Sequence, residues 1–216
     1  MTETDDSKLK PKHWFYIIVS SLVAIFIIVI FLIPEIMPQP QEAEEIEYNY
    51  FKFKKVGPVW ETLVMNEGQL LQPSLRFLPT EVENITITGK LNEKFEEGPV
   101  YLTFDPTLEQ KEYQTLTIAV SEMGMNLVTG FGREIIPACT KNETDACINR
   151  SIINCENTEE PIIFFNVTEK EEILLKGNCM EIRGQSFDLT KPVDKVLYSW
   201  YGIMRSTITP KIQPQN

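Results

Sequence analysis

The chain of 216 residues carries 31 acidic against 20 basic side chains, a formal net charge of −11, with 43% hydrophobic residues and a single histidine. Such acidity excludes a nucleic-acid binder that works by neutralising phosphates, because that requires an excess of Lys and Arg. The apolar share is ordinary for a folding chain, and the length suits one domain plus an anchor.

Residues 14–33 contain no charge, and at about 1.5 Å per helical residue they reach roughly 30 Å, the thickness of a bilayer core. A transmembrane helix is predicted there. The run is longer than the apolar core of a cleaved signal peptide, and Pro34, Glu35 and Pro38 follow it rather than a small-x-small site. Trp14, Phe15 and Tyr16 suit a membrane interface. Lys8, Lys10 and Lys12 precede the run, and the next basic residue is Lys52. This bias places residues 1–13 in the cytoplasm and the rest of the chain outside, with the lipid bilayer as the first partner.

Residues 34–47 hold Pro34, Pro38 and Pro40 together with Glu35, Glu42, Glu44, Glu45 and Glu47, and no basic residue offsets them. An extended stalk is expected. A domain over 48–204 follows, then a loose tail over 205–216 that contains Pro210 and Pro214.

Inside the domain, Phe51 and Phe53 alternate with Lys52 and Lys54 as in a half-buried strand. Residues 59–65 and 69–77 form a predicted hairpin around Asn66, Glu67 and Gly68. Ile85 and Ile87 mark a short strand before Gly89, and residues 100–104 another, cut off by Asp105-Pro106. A helix is predicted from a Thr107 cap. Tyr113, Leu116, Val120, Met123 and Leu127 line one of its faces, and Gly130 and Gly132 end it. Strands are predicted at 135–136, 151–153, 162–167 and within 172–183. A last helix over 189–201 buries Leu189, Val193, Val196, Leu197 and Trp200, with Pro192 tolerated in its first turn. This order gives an α+β fold, mixed α/β being the alternative, with a mixed sheet and about two main helices. One βαβ unit is expected over 100–138.

The four cysteines, Cys139, Cys147, Cys155 and Cys179, all follow the apolar run, as do the Asn-x-Ser/Thr acceptors Asn84, Asn142, Asn149 and Asn166. An even set of cysteines outside a membrane reads as disulfides. Three pairings are possible, and the neatest joins Cys139 to Cys147 and Cys155 to Cys179. No close C-x₂₋₄-C pair suggests a metal, and no C-x-x-C suggests redox catalysis. No cofactor is expected.

With His13 before the apolar run, the domain has no histidine, which excludes Ser-His-Asp and Cys-His catalysis and His-ligated zinc there. No Walker-type phosphate loop is present, and Gly130-Phe131-Gly132 is too short for a dinucleotide fingerprint. Carboxylates remain. Asp105 lies where a strand hands over to a helix, a common place for binding groups, and is the weak catalytic candidate against a turn role. Asp188 reads as a cap and Asp194 as a solvated or salt-bridged helix face. Ser186 with Lys191 could form a Ser-Lys pair in a cap region. No spacing fixes the two carboxylates that a glycosidase needs. Tyr198, Trp200 and Tyr201 read as core plugs in preference to a stacking patch.

Several segments carry a resemblance together: Val100-Tyr101-Leu102-Thr103-Phe104-Asp105-Pro106, Ala138-Cys139-Thr140, Gly177-Asn178-Cys179 and Tyr201-Gly202-Ile203-Met204. With the N-terminal anchor, residues 50–204 resemble membrane-anchored ectodomain proteins of unassigned function from small-genome archaea. The resemblance implies an archaeal cell envelope outside the membrane and supplies no activity. The expectation is a membrane-anchored recognition or structural protein, an envelope component or a subunit of a membrane complex. A carboxylate-dependent envelope hydrolase and a stalk-displayed module for a small ligand or cation are the alternatives.

Overall fold

The computed structural model describes residues 11–36, 44–66, 68–96, 98–156 and 159–205, with backbone alone at 11–13 and 31–36. It divides into two units, Met1–Ala43 and Glu44–Asn216. In the first, helix α1 runs over Pro11–Ile36. Among the described residues no helix is long and apolar enough to cross a membrane. The described side chains of α1 cover 14–30, about 25 Å of helix, so the expected span over 14–33 overruns them. Residues 1–10 of the predicted cytoplasmic segment, 37–43 of the predicted stalk and 206–216 of the predicted tail lie outside the described residues.

The second unit is α+β. A small antiparallel sheet is formed by β1 (Glu45–Tyr48), β2 (Phe51–Val56), β3 (Val59–Glu61) and β6 (Ser74–Leu75), in that spatial order. Between β3 and β6 the chain makes a separate hairpin from β4 (Val64–Asn66) and β5 (Gln69–Leu71). The predicted hairpin is therefore real but interrupted: its base joins the small sheet and its tip pairs with itself.

Residues 45–47, expected in the stalk, belong to β1. Glu45 and Glu47 alternate with half-buried Ile46 and Tyr48, and their register partners on β2 are Lys54 and Lys52. Opposite charges across a strand pair stabilise it, so acids that read as a self-repelling tether instead face lysines.

After the short α2 (Pro79–Val82) come β7 (Thr86–Leu91), β8 (Val100–Phe104), α3 (Gln110–Phe131), β9 (Ile135–Cys139), β10 (Ser151–Ile152), β11 (Ile162–Val167), β12 (Glu172–Gly177), β13 (Cys179–Gly184) and α4 (Thr190–Trp200). The main sheet has the order β10-β9-β8-β11-β13-β12-β7. Strands β10, β9, β8, β11 and β13 are mutually parallel. β12 is antiparallel to β13, with β7 parallel to β12. The expected βαβ unit is present as β8–α3–β9. The predicted run 172–183 splits into a hairpin at Gly177, and β7 continues through Gly89 rather than stopping before it.

Register puts Leu102, Phe104, Ile163, Phe165, Met180 and Ile182 on one face of this sheet. They share a core with Leu116, Ala119, Met123 and Leu127 of α3 and with Val193, Val196, Leu197 and Trp200 of α4. Phe53, Trp60 and Leu75 of the small sheet join the same core. Helix α4 is buried on nearly every side, only Lys191 of its residues escaping.

Helix α3 begins at Gln110, later than the predicted Thr107 cap, and Gly130 does not end it. Gly132 does, in the left-handed conformation at φ 61°, while Gly130 lies in the last helical turn. A Cβ at Gly130 would come within 2.1 Å of the Tyr201 hydroxyl, which donates to Asn126 Oδ1 at 2.7 Å while its ring stacks on Phe131. Gly130 is thus a close-approach residue. Replacing Gly130 with Ala should destabilise the oxidised protein in denaturant unfolding by about 1–3 kcal/mol, the usual cost of overpacking. A stabilised variant, as Ala's helix propensity alone would give, would refute the close-approach role.

Candidate functional site

Asp105 lies where expected, at the carboxyl end of β8. There the chain departs to β9 on one side while β11 flanks the other, a position at which open sheets commonly bind ligands. Its side chain, however, closes a turn. Oδ1 accepts the Thr107 amide at 2.9 Å and hydroxyl at 2.6 Å, and Oδ2 accepts from Lys141 Nζ at 2.9 Å. Partial burial pushes the Asp105 carboxyl up, but Thr107 and Lys141 outweigh this and hold it below the usual range. It is an ionised acceptor, whereas a general acid needs a raised value.

Lys191 bonds Asp188 at 2.9 Å and Glu171 at 3.4 Å. The hydrogen bond that Lys191 donates to Asp188, ahead of the opposing burial, raises its pKa. A lysine base needs the reverse, so nothing prepares Ser186 and Lys191 as a dyad. Asp188 belongs to this ion pair within the 3₁₀ turn Ser186–Leu189, beside the start of α4. Tyr198 and Trp200 are buried and Tyr201 is half-buried against Phe131, so the three aromatics close the core as expected.

The cysteines pair as Cys139–Cys147 and Cys155–Cys179. The first closes the loop after β9, and the second ties the segment before β11 to the start of β13. Asn84, Asn142 and Asn149 are exposed, whereas Asn166, next to the end of β11, donates from its Nδ2 to Glu181 Oε1 at 2.6 Å. Among the described residues no group of three or more His, Cys, Asp or Glu could hold a metal ion.

Asp194 is a correction. Expected on a solvated or salt-bridged face, it is wholly buried. Its Oδ2 accepts the backbone N–H of Arg76 at 2.9 Å and of Phe77 at 2.8 Å, in the segment between β6 and α2. Its Oδ1 has no partner, nor has the buried Oε2 of Glu122, whose other oxygen pairs with Arg76 Nε. Burial drives the Asp194 pKa well up, and Glu122 adds to this, against the pull of the two amides and of the Arg76 charge. Four residues on, Tyr198 donates its hydroxyl to Phe77 O at 2.5 Å, and Lys195 Nζ reaches Glu83 O at 3.0 Å. The polar side of α4 therefore faces backbone groups of the N-terminal part of the domain, not water. The one available sign in the sequence was an acid set between Val193 and Val196, four residues before a tyrosine.

A groove of about 430 Å³ lies between α3 and the β8–β9 end of the main sheet. Tyr113, Thr117, Val120, Ser121, Gly124 and Met125 line it from the helix, and Leu102, Phe104, Ile135 and Pro137 from the strands. The rings of Phe104 and Tyr113 meet edge to face in its wall, 5.7 Å apart. Arg150, in the loop leading to β10, completes the lining. Its amide donates to Cys147 O at 3.1 Å, so the Cys139–Cys147 disulfide fixes the backbone that carries it. Among the described residues the Arg150 guanidinium has no ion-pair partner. Sequence reasoning did not find this site, because its residues come from four separated segments.

Comparison with known families, curated proteins and solved structures finds no match.

The Asp194 environment makes two linked expectations. Asp194→Ala leaves two buried amides unpaired and should cost several kcal/mol, at about 1–3 kcal/mol per orphaned group, while Asp194→Asn keeps an acceptor and stays close to wild type. The raised carboxyl keeps its proton in the native state to a higher pH than in the unfolded chain. Its stabilising contribution is thus present below the unfolded value, about 3.9, and is lost as pH rises towards the native one. Thermal unfolding across pH should show wild type losing stability relative to Asp194→Asn from about pH 4 upward. A pH-independent difference would refute the buried-acid assignment.

Proposed function

We propose that the chain is a single-pass membrane protein that holds a disulfide-braced recognition domain outside the membrane. Residues 14–33 would form the span, residues 1–13 the cytoplasmic end, and the domain from Glu44 onward the extracytoplasmic part. The observation that carries this reading is the closure of both disulfides in a domain that follows an uncharged, lysine-preceded run. Structural disulfides persist in oxidising compartments. The exposure of Asn84, Asn142 and Asn149, acceptors for glycans outside the membrane, is in keeping with it. Recognition within an envelope or membrane complex fits better than catalysis, since Asp105 is engaged as an ionised turn residue and Lys191 as a paired cation. The resemblance to archaeal envelope ectodomains is compatible with this role.

The second alternative, a displayed module for a small ligand, is favoured by the groove beside α3.

Protease treatment of intact cells tests the topology. The expected result is digestion of the domain without permeabilisation, together with resistance of its denatured thiols to maleimide until a reductant is added. Protection of the domain in intact cells, or free thiols before reduction, would contradict the proposal.

A further inference from the structure

Within the reading as a ligand module, the groove has a definite chemistry. Its walls are aliphatic and aromatic: Leu102, Phe104, Ile135 and Pro137 below, Tyr113 and Val120 above. Its volume falls in the range of small-molecule pockets, about 300–1,000 Å³. Met125 is exposed at its edge. By register, Ile152 on the edge strand β10 shares the face of Pro137, so apolar surface continues beyond the groove, and Ile152 too is exposed. Exposed apolar surface around a concavity marks a binding site more often than chance.

Among the described residues, Arg150 is the only charged one in the lining. Several other cations of the domain have acidic partners: Arg76 pairs with Glu122, Arg183 with Glu172 and Glu181, Lys141 with Asp105. In a chain of net charge −11, an arginine held by a disulfide-closed loop beside an apolar groove, with no acid paired to it among the described residues, is a cation positioned for an external anion. A guanidinium binds carboxylate or another planar oxyanion through two parallel hydrogen bonds.

We infer that the groove between α3 and β8–β9 binds an aliphatic carboxylate, its hydrocarbon lying along the groove and its anionic head against Arg150. Thr117 and Ser121 stand on the exposed side of α3, so the chain would enter from that side.

The test uses the full chain in lipid nanodiscs with its disulfides intact. It is irradiated with a diazirine-bearing dodecanoic acid, and adducts are mapped by peptide mass spectrometry. The expected result is labelling within residues 113–125 and 135–137 that unlabelled dodecanoate suppresses. Arg150→Glu should weaken that labelling about tenfold, as loss and reversal of a charged hydrogen bond would. Thr117→Trp, which fills the groove from an exposed helix position, should abolish it. An unchanged melting temperature confirms that both variants fold. Equal labelling by a dodecylamine probe, or an Arg150→Glu variant that labels like wild type, would overturn the anionic ligand while leaving a ligand pocket. Absence of any suppressible labelling in the domain by either probe would overturn the pocket itself.

Discussion

Asp194 reaches from the middle of α4 to the backbone between β6 and α2 and accepts the amide hydrogens of Arg76 and Phe77 in a site closed to water. Desolvating a carboxyl is costly unless its hydrogen bonds are met; here backbone donors meet part of the demand, and burial raises the pKa in favour of the neutral form. The contact is specific because it needs α4 and the small sheet at one fixed distance. Phe53 packs its ring edge to face on Tyr198, and Tyr198 donates to Phe77 O, so apolar and polar contacts converge on the same turn of helix. The four-stranded sheet therefore has no separate core: Phe53, Trp60 and Leu75 pack into the one that α4 shares with the main sheet.

This central place for α4 sets where α3 can lie. Both helices cover the same face of the main sheet, and Tyr201, just past α4, stacks on Phe131 near the end of α3. α4 packs beside β13, and α3 packs against β11 and β9, towards the β9–β10 margin. The groove lies between α3 and this end of the sheet. The Cys139–Cys147 bridge closes the loop at this margin and fixes the backbone of Arg150, the one charged residue among those described in the groove. One disulfide thus both constrains the unfolded chain and holds a cation at the rim of an apolar surface.

Much of the fold was legible because it rests on local periodicity. The 3.6-residue spacing of Leu116, Met123 and Leu127 located α3, the β-branched and aromatic run 100–104 located β8, and the cysteine spacing suggested the pairing that forms. What could not be read depends on partners distant in sequence. Glu45 and Glu47 looked like a repelling tether because Lys52 and Lys54 become their neighbours only when β1 pairs with β2. Gly130 looked like a helix stop because the Tyr201 hydroxyl that needs its space lies 71 positions on. Asp194 looked solvated because its acceptor role involves amides more than a hundred residues earlier, whose demand leaves no mark on side-chain identity. The groove was invisible for the same reason, while Asp105 was located correctly and its turn chemistry with Thr107 was the local alternative already present in the sequence.

The claim that Asp194 joins the small sheet and the helix-covered sheet into one cooperative unit is tested most directly by native-state hydrogen exchange at the amides of Arg76 and Phe77. These protons should exchange only through global unfolding, with the same opening free energy as the amides of Ile163 and Phe165 in the central strand β11. Exchange of Arg76 and Phe77 through a local opening of much lower free energy, with β11 still protected, would show that the N-terminal sheet detaches on its own and would contradict the account.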